Sequence, residues 1–391
     1  MNEFVYAYPT KTYLGENSVA KAFEAELGRY GNKILLAYGS GSVKKNGVYQ
    51  EIVALLQQAG KEIVDFGGIM PNPTYAKVQE GAALAKEEKI DLIVAVGGGS
   101  VIDCCKIISA QAKSERDIWE LEFTDHKLPT EFIPLCAVVT ASGTGAEQNN
   151  GAVITNEEKK LKCGVWGAHA DFAVLNPAYT LSVPMRQVIS GAFDTLSHCM
   201  ETYFGTPRKD NLSDEVNEAV MRSVIRNIRL LLVRPDDLSI RSELMWASAM
   251  AENGILKIGK VTDFQAHQIE HQLGAYTDCN HGCGLAVLHP VLYRHIYSGA
   301  VSRFAHFAQA VWGIHENGQD ENAFALAGIQ ALEDFIREIG LPLSFQEMGI
   351  TDDSCFAAVA DSTALTAGCC KKLTKEEILN ILNECYQRKD L

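Results

Sequence analysis

The stretch Ile90-Asp-Leu-Ile-Val-Ala-Val96 passes without a break into Gly97-Gly-Gly-Ser100 and then into a helical pattern that runs through Ala112. A strand apolar at nearly every position is covered on both faces, and a helix entered directly from its end belongs to a parallel sheet. The alternation recurs on both sides. Lys33–Tyr38 reads as a buried strand, followed by Gly39-Ser-Gly-Ser-Val-Lys-Lys-Asn-Gly47 and a helix to about Gln58. Glu62–Phe66 is a short strand, Thr74 caps a helix running to about Glu88, and Phe132–Thr140 is a strand ending at Ala141-Ser-Gly-Thr-Gly145. This half is expected to be an α/β domain built on a parallel sheet.

After Val183 the pattern changes. Helical periodicity covers residues 186–203, 212–232, 238–256, 262–273, 284–296, 301–311, 322–339 and 374–387, with no strand between them. At 391 residues the chain is also too long for one ordinary core. The expected division is an α/β nucleotide-binding domain over 1–183 and an all-helical, metal-binding domain over 184–391, joined near Leu181-Ser-Val-Pro184.

Each half carries one set of chemically suggestive residues. Gly97-Gly98-Gly99-Ser100 lies at the carboxyl end of a strand, where backbone N–H groups and a helix N-terminus can receive an anion such as a pyrophosphate. The pattern is not GxGxxG, so the ordinary dinucleotide fingerprint is absent. Asp103 and Lys106 lie one and two turns into the helix, within reach of a ligand or of each other. In the second half, Asp194-Thr-Leu-Ser-His198 and His267-Gln-Ile-Glu-His271 each place two donors four residues apart on a helix, about 6 Å between Cβ atoms. His281 follows, with Gly282 allowing a sharp turn or a close approach. Imidazole and carboxylate donors suit Zn, Fe(II), Ni or Mn, and spacing alone does not say which of the five bind. Cys279 and Cys283 bracket His281, but the Asp and His donors suffice without them.

Composition removes several function classes. A net charge of −14 argues against nucleic acid or an anionic membrane as partner. No apolar run approaches the ~20 residues that cross a bilayer. Met1-Asn-Glu-Phe-Val-Tyr6 has neither the basic nor the apolar segment of a signal peptide. Eleven cysteines without a CxxC or a disulfide framework fit a reducing, cytoplasmic setting.

Taken together, these motifs resemble the iron-containing (group III) alcohol dehydrogenases. The resemblance runs along nearly the whole chain: Pro9-Thr-Lys-Thr-Tyr-Leu-Gly15, Pro71-Asn-Pro73, Gly97 through Lys106, Thr140-Ala-Ser-Gly-Thr-Gly-Ala-Glu147, Asp194-xxx-His198, His267-xxx-His271 and His281-Gly282. Within the family the chain looks most like bacterial butanol dehydrogenases and NADPH-dependent broad-specificity aldehyde reductases. The resemblance implies a dehydroquinate synthase-like fold, a homodimer, and hydride transfer between NADP(H) and a short- to medium-chain aldehyde or primary alcohol. It places one divalent metal, Fe2+ or Zn2+, on Asp194, His198, His267 and His281, and makes His271 a catalytic residue beside the substrate. It puts Gly97, Gly98, Gly99 and Ser100 on the pyrophosphate, and Asp103, Thr140, Ser142, Thr144 and Lys162 along the nucleotide and nicotinamide pocket. Ala146 stands where many relatives have Ser.

Cofactor choice is argued from the loop Tyr38-Gly39-Ser40-Gly41-Ser42-Val43-Lys44-Lys45. NAD enzymes usually present a carboxylate to the adenosine ribose, and NAD-preferring relatives carry Asp in this loop. Here the loop holds no acid. Gly39 leaves room, Ser40 and Ser42 can donate, and Lys44 or Lys45 can meet a 2′-phosphate, so NADP(H) is expected over NAD(H). The rival expectations are a glycerol dehydrogenase-like polyol dehydrogenase or a dehydroquinate synthase-like lyase of the same superfamily, a metal hydrolase, and a non-catalytic nucleotide-binding module.

Overall fold

A computed structural model of the protein describes residues 3–208, 211–315, 318 and 320–388. The chain forms two compact units, one of Ala7–Pro184 with Asp236–Asn253, the other of Met1–Tyr6, Met185–Pro235 and Gly254–Leu391, so the first residues group with the helical half and not with the α/β half as expected. In the first run of chain the elements are β1 (Lys11–Leu14), α1 (Ser18–Glu26), β2 (Lys33–Gly39), α2 (Ser42–Lys45), α3 (Val48–Gln58), β3 (Glu62–Ile69), α4 (Tyr75–Glu87), β4 (Leu92–Gly97), α5 (Gly99–Lys113), α6 (Ile118–Phe123), β5 (Leu135–Val139), β6 (Gly151–Asn156), β7 (Leu161–Trp166) and β8 (Phe172–Leu175). Helices then follow as α7 (Met185–Tyr203), α8 (Leu212–Val233), α9 (Leu238–Glu252), α10 (Gln265–Thr277), α11 (His281–Ile296), α12 (Val301–Ala310), α13 (Glu321–Glu338), α14 (Phe356–Ser362) and α15 (Lys375–Gln387).

Six strands make one sheet in the order β1-β8-β5-β4-β2-β3, with every neighbouring pair parallel. Because side chains alternate across a strand, β2 feeds two cores. Ile34 and Leu36 pack with Val19, Phe23, Ile52 and Leu56 on one face. Leu35 and Ala37 pack with Val78, Ile102 and Ile108 on the other. The chain winds outward from β2 to β3 and then crosses back to β4 on the far side of β2. That reversal makes the carboxyl ends of β2 and β4 a topological switch point, the usual ligand crevice of such sheets. The loops Gly39–Ser42 and Gly97–Ser100 border it.

Four strands were not expected from the sequence. β1 and β8 are only four residues long and extend the sheet at one edge, while β6 and β7 form a separate antiparallel hairpin. The helix expected over 238–256 ends at Glu252, and it belongs to the α/β unit and not to the helical one. Met245 and Ala249 bury their side chains in the α/β core, and Arg241 Nη1 donates to Thr180 O at 2.6 Å.

In the helical unit α7 is anchored at its C-terminus. Tyr203 O accepts from Lys260 Nζ at 3.1 Å and from Arg303 Nη2 at 3.1 Å, so two cations meet the negative end of the helix. Asp214 pairs with both cations. Just beyond, Phe204 stacks on Phe304 with ring centroids 4.1 Å apart.

Candidate metal and nucleotide sites

Three helices of the helical unit supply metal-type donors. α7 carries Asp194, His198 and Glu201 on one face, α10 carries His267, Glu270 and His271, and α11 opens on His281. α11 starts three residues earlier than its apolar periodicity suggests, because Asn280 caps it by accepting from Cys283 N at 3.0 Å. Gly282 provides a close approach. A Cβ there would stand 2.1 Å from Ser190 O of α7, and one on Gly284 would stand 2.8 Å from Glu270 Cγ of α10. Small residues therefore let α11 begin against both other helices, which is what brings His281 to the cluster.

Asp194 is the meeting point. Its Oδ1 lies 3.5 Å from Nε2 of both His267 and His281 and 3.7 Å from Nδ1 of His198. One donor atom from each of Asp194, His267 and His281 falls within 4.8 Å of the others. The His198 ring stacks on that of His267 at 4.5 Å between centroids. His271 borders His281 at 5.5 Å and groups with it and Glu270. All five residues singled out by spacing are thus brought together. Cys279 faces Glu270 instead, its Sγ donating to Oε1 at 3.7 Å.

Two carboxylates that spacing did not single out orient the cluster. Glu201 meets Nδ1 of His267, and Glu270 meets Nδ1 of His281. A carboxylate only accepts, so each imidazole offers a proton from Nδ1 and turns Nε2 toward Asp194, the nitrogen on which a cation would take the place of a second proton. Carboxylate, imidazole and cation in series is the usual support of a histidine metal ligand. The available signal was that each acid lies three residues after a histidine, His198-xx-Glu201 and His267-xx-Glu270.

The charges fit a cation. Asp194 Oδ1 and His267 Nε2 are buried and make no hydrogen bond. Burial disfavours the charge on Asp194, but His198, His281 and His267 outweigh it and hold the carboxyl below its ordinary range. Burial likewise disfavours protonation of His267, yet Glu201 and Asp194 push its pKa up to about 10. Three carboxylates buried among imidazoles favour positive charge, which a divalent ion could supply in place of a proton.

The α/β unit offers a site of another kind. α5 starts on Gly99 with Gly98 as its cap residue and no side chain capping it, so its first-turn N–H groups face the switch point. A Cβ on Gly99 would stand 2.4 Å from Thr144 Oγ1, and one on Gly98 would stand 3.2 Å from Ala141 Cβ. Thr140 N donates to Gly97 O at 2.9 Å, which ties the two glycine-bearing loops together. Ser142 and Thr144 follow, both half-buried, and Ser100 is half-buried on the first turn of α5. Asp103 and Lys106 pair at 3.5 Å, and the buried Lys106 Nζ donates to Gly151 O at 2.6 Å. Asp103 Oδ2 accepts from Val153 N at 3.0 Å, so this pair fastens α5 to the hairpin whose second strand carries the buried Lys162.

On the other side of the switch point, Gly39 ends β2, Ser40 follows, and Ser42 opens α2. A Cβ on Gly39 would stand 3.3 Å from Ile69 O and 3.8 Å from Val101 Cγ2, so the two loops adjoin. Lys44 does not stand alone there. Asp65 of β3 lies 3.5 Å from its Nζ, an acid from the neighbouring strand that reading the loop by itself did not supply.

Comparison with known proteins decides the family. Residues 9–177 match the iron-containing alcohol dehydrogenase family, and residues 188–386 match the C-terminal domain of the Fe-containing alcohol dehydrogenase family. The chain belongs to the iron-containing alcohol dehydrogenases. It is 34% identical over 395 residues to NADH-dependent butanol dehydrogenase A of Clostridium acetobutylicum, covering 99% of this chain and 100% of that one. It is 33% identical over 358 residues to the NADPH-dependent aldehyde reductase YqhD of Escherichia coli, covering 90% and 91%. The crystal structure of NADH-dependent butanol dehydrogenase A from Thermotoga maritima superposes with a TM-score of 0.93 at 32% identity, covering 99% of both chains. The protein is therefore an oxidoreductase of the alcohol dehydrogenase and aldehyde reductase type, using a nicotinamide cofactor and a divalent metal. Among the described residues no helix is long and apolar enough to cross a membrane.

Proposed function

We propose that this enzyme reduces short- to medium-chain aldehydes of the butanal type, and oxidises the matching primary alcohols, with NADP(H) preferred over NAD(H). The observation that carries the reading is the convergence of Asp194, His267 and His281, with Glu201 and Glu270 locking both Nε2 atoms inward. Asp194, His198, His267 and His281 would hold Fe2+ or Zn2+. A metal held there would polarise a carbonyl oxygen, and a bound reduced nicotinamide would supply hydride to the carbonyl carbon. His271 passes the proton between the nascent alkoxide oxygen and solvent, a task suited to an imidazole that borders the cluster. The backbone of Gly97, Gly98 and Gly99 with Ser100 receives the pyrophosphate, and Asp103, Thr140, Ser142, Thr144 and Lys162 shape the pocket beyond it. Gly39, Ser40 and Ser42 receive the adenosine ribose.

Two observations weigh on cofactor choice. The acid-free loop favours a 2′-phosphate, whereas Asp65 beside Lys44 reduces the attraction. Relatives of both preferences occur, so the proposed ratio is modest, about tenfold in kcat/KM or roughly 1.4 kcal/mol. A cytoplasmic homodimer completes the reading. All eleven cysteines are free thiols, and β1 offers an open sheet edge with the exposed Leu14.

A panel of aliphatic aldehydes assayed against NADPH and NADH, with metal measured on the same sample, tests this. Aldehyde reduction favouring NADPH in a protein holding one Fe2+ or Zn2+ per chain is expected. Turnover confined to polyols such as glycerol, or an equal rate with NADH, would overturn it.

A further inference from the structure

The cluster of Lys44, Asp65, Tyr38 and Tyr49 beside the Gly39–Ser42 loop is more organised than a surface ion pair. Lys44 Nζ lies 4.6 Å from the Tyr38 ring centroid and 4.4 Å from that of Tyr49, so two aromatic rings flank the ammonium. Both phenols are themselves fixed by Asp65. Tyr38 Oη donates to Oδ2 at 2.9 Å and Tyr49 Oη donates to Oδ1 at 2.9 Å. The two rings meet edge to face at 5.2 Å. Asp65 stands opposite Leu36 in the β2–β3 register, and Tyr38 immediately precedes Gly39, the last residue of β2. One carboxylate therefore orders a cation and two rings at the mouth of the switch point. Its own side chain remains 43% exposed and that of Lys44 remains 42% exposed, so the pair is open to an incoming anion.

We propose that Asp65 is a specificity-determining residue for the nicotinamide cofactor: it competes with a 2′-phosphate for Lys44 and so holds down the preference for the phosphorylated nucleotide. This rests on the NADP(H) reading above. The physical basis is simple. A dianion approaching Lys44 gains an ammonium only by displacing Asp65, and it meets the repulsion of that carboxylate throughout. An unphosphorylated ribose meets neither effect. In ordinary dinucleotide sites an acid reads the ribose hydroxyl directly. Here the acid acts through a lysine and stands on the adjacent strand.

Calorimetric titration of the full-length protein with 2′,5′-ADP and with 5′-ADP tests the idea without turnover. Asp65→Asn keeps an acceptor for one phenol and is expected to tighten 2′,5′-ADP about threefold to fivefold while leaving 5′-ADP unchanged. In the Asp65→Asn, Lys44→Gln double variant that gain is expected to vanish. Lys44→Gln alone should weaken 2′,5′-ADP less in the wild-type background than in the Asp65→Asn background, which gives the coupling independently. No gain in Asp65→Asn, a gain shared equally by 5′-ADP, or a gain that survives Lys44→Gln overturns the inference. A wild-type protein that binds 5′-ADP as tightly as 2′,5′-ADP overturns the NADP(H) reading instead, and the ratio between Asp65→Asn and wild type still decides the role of Asp65. Binding of neither ligand overturns both.

Discussion

The metal cluster and the glycine loops are built from different materials. In the helical unit the site is side-chain charge. Asp194, Glu201 and Glu270 are buried with His267 and His271, the half-buried His198 and His281 stand beside them, and Asp194 Oδ1 and His267 Nε2 make no hydrogen bond. In the α/β unit the site is backbone: a helix start without a side-chain cap and glycines that any added Cβ would crowd. The first kind of site is unbalanced until a cation arrives. The second is fixed in shape by its backbone, and under the proposed reading it receives an anion. Substitutions should therefore act by charge at the helical cluster and by volume at the Gly97–Gly99 turn.

The largest effect is expected where a donor of the cluster is removed or neutralised. His267→Ala and His281→Ala should lose bound metal and activity together, whereas His271→Ala should keep the metal and lose turnover. Asp194→Asn removes a charged donor from the centre of the cluster and should release metal readily to a chelator. Glu201→Gln sharpens the comparison, since it is nearly isosteric and touches His267 from outside. It should lower metal affinity by about 10- to 100-fold without unfolding the protein. Metal content after dialysis against chelator reads all of these. A His267→Ala protein that retained a full complement of metal would contradict the ligand assignment, and one Glu201→Gln protein with unchanged affinity would reduce Glu201 to packing.

The next effect is one of volume. Gly99→Ala would set a Cβ 2.4 Å from Thr144 Oγ1 and 3.0 Å from its Cβ, so the whole side chain must move, not only its tip. Gly98→Ala meets Ala141 Cβ at 3.2 Å, a contact the loop can absorb by a small shift. Overpacking of this kind costs about 1–3 kcal/mol, or about 5- to 150-fold in affinity if it falls on the bound state. Nucleotide affinity should fall strongly in Gly99→Ala and weakly in Gly98→Ala, with metal content untouched in both. Loss of metal from Gly99→Ala would break the separation between the two kinds of site.

The same contrast governs what could be read from the sequence. β2 and β4 were legible because a strand buried on both faces is apolar at nearly every position, and a glycine loop follows each. β1 and β8 were not, since four residues at a sheet edge leave no period to detect. β6 and β7 do alternate, but Lys162 and Gly164 interrupt the second strand and the pair lies outside the parallel pattern. At the metal cluster the i,i+4 pairs gave Asp194, His198, His267 and His271 directly. His281 has no helical partner, and only the packing allowed by Gly282 and Gly284 shows why it arrives. Glu201 and Glu270 read as ordinary helix acids until the imidazoles from other elements are placed against them. α9 illustrates the limit of periodicity, which identifies a helix and says nothing of which core it joins. Met245 and Ala249 decide that through tertiary contact. Asp65 is the same lesson beside the Gly39–Ser42 loop, an acid invisible to a reading confined to that loop.

The smallest expected effect tests a half-buried carboxyl of the α/β unit away from the nucleotide loops. Glu122 of α6 accepts from Trp166 N at 3.0 Å and so fastens the strand that carries Lys162. Burial raises its pKa to about 7, partly offset by that N–H donor. The unfolded carboxyl titrates near 4.5, so between about 4.5 and 7 the folded protein holds a proton that the unfolded chain has released. By linkage this group's contribution to stability falls as pH rises through that window, and above it a half-buried carboxylate is carried at a cost. Glu122→Gln removes the ionisation and keeps an acceptor for Trp166 N. Its melting temperature should match the wild type near pH 5 and exceed it by about 2 °C near pH 8, a figure discounted for the partial exposure of the group. Calorimetric scans at the two pH values compare them. A variant that melts below the wild type at pH 8 would mean that the charged carboxylate strengthens the hairpin, as the Asp103–Lys106 pair does.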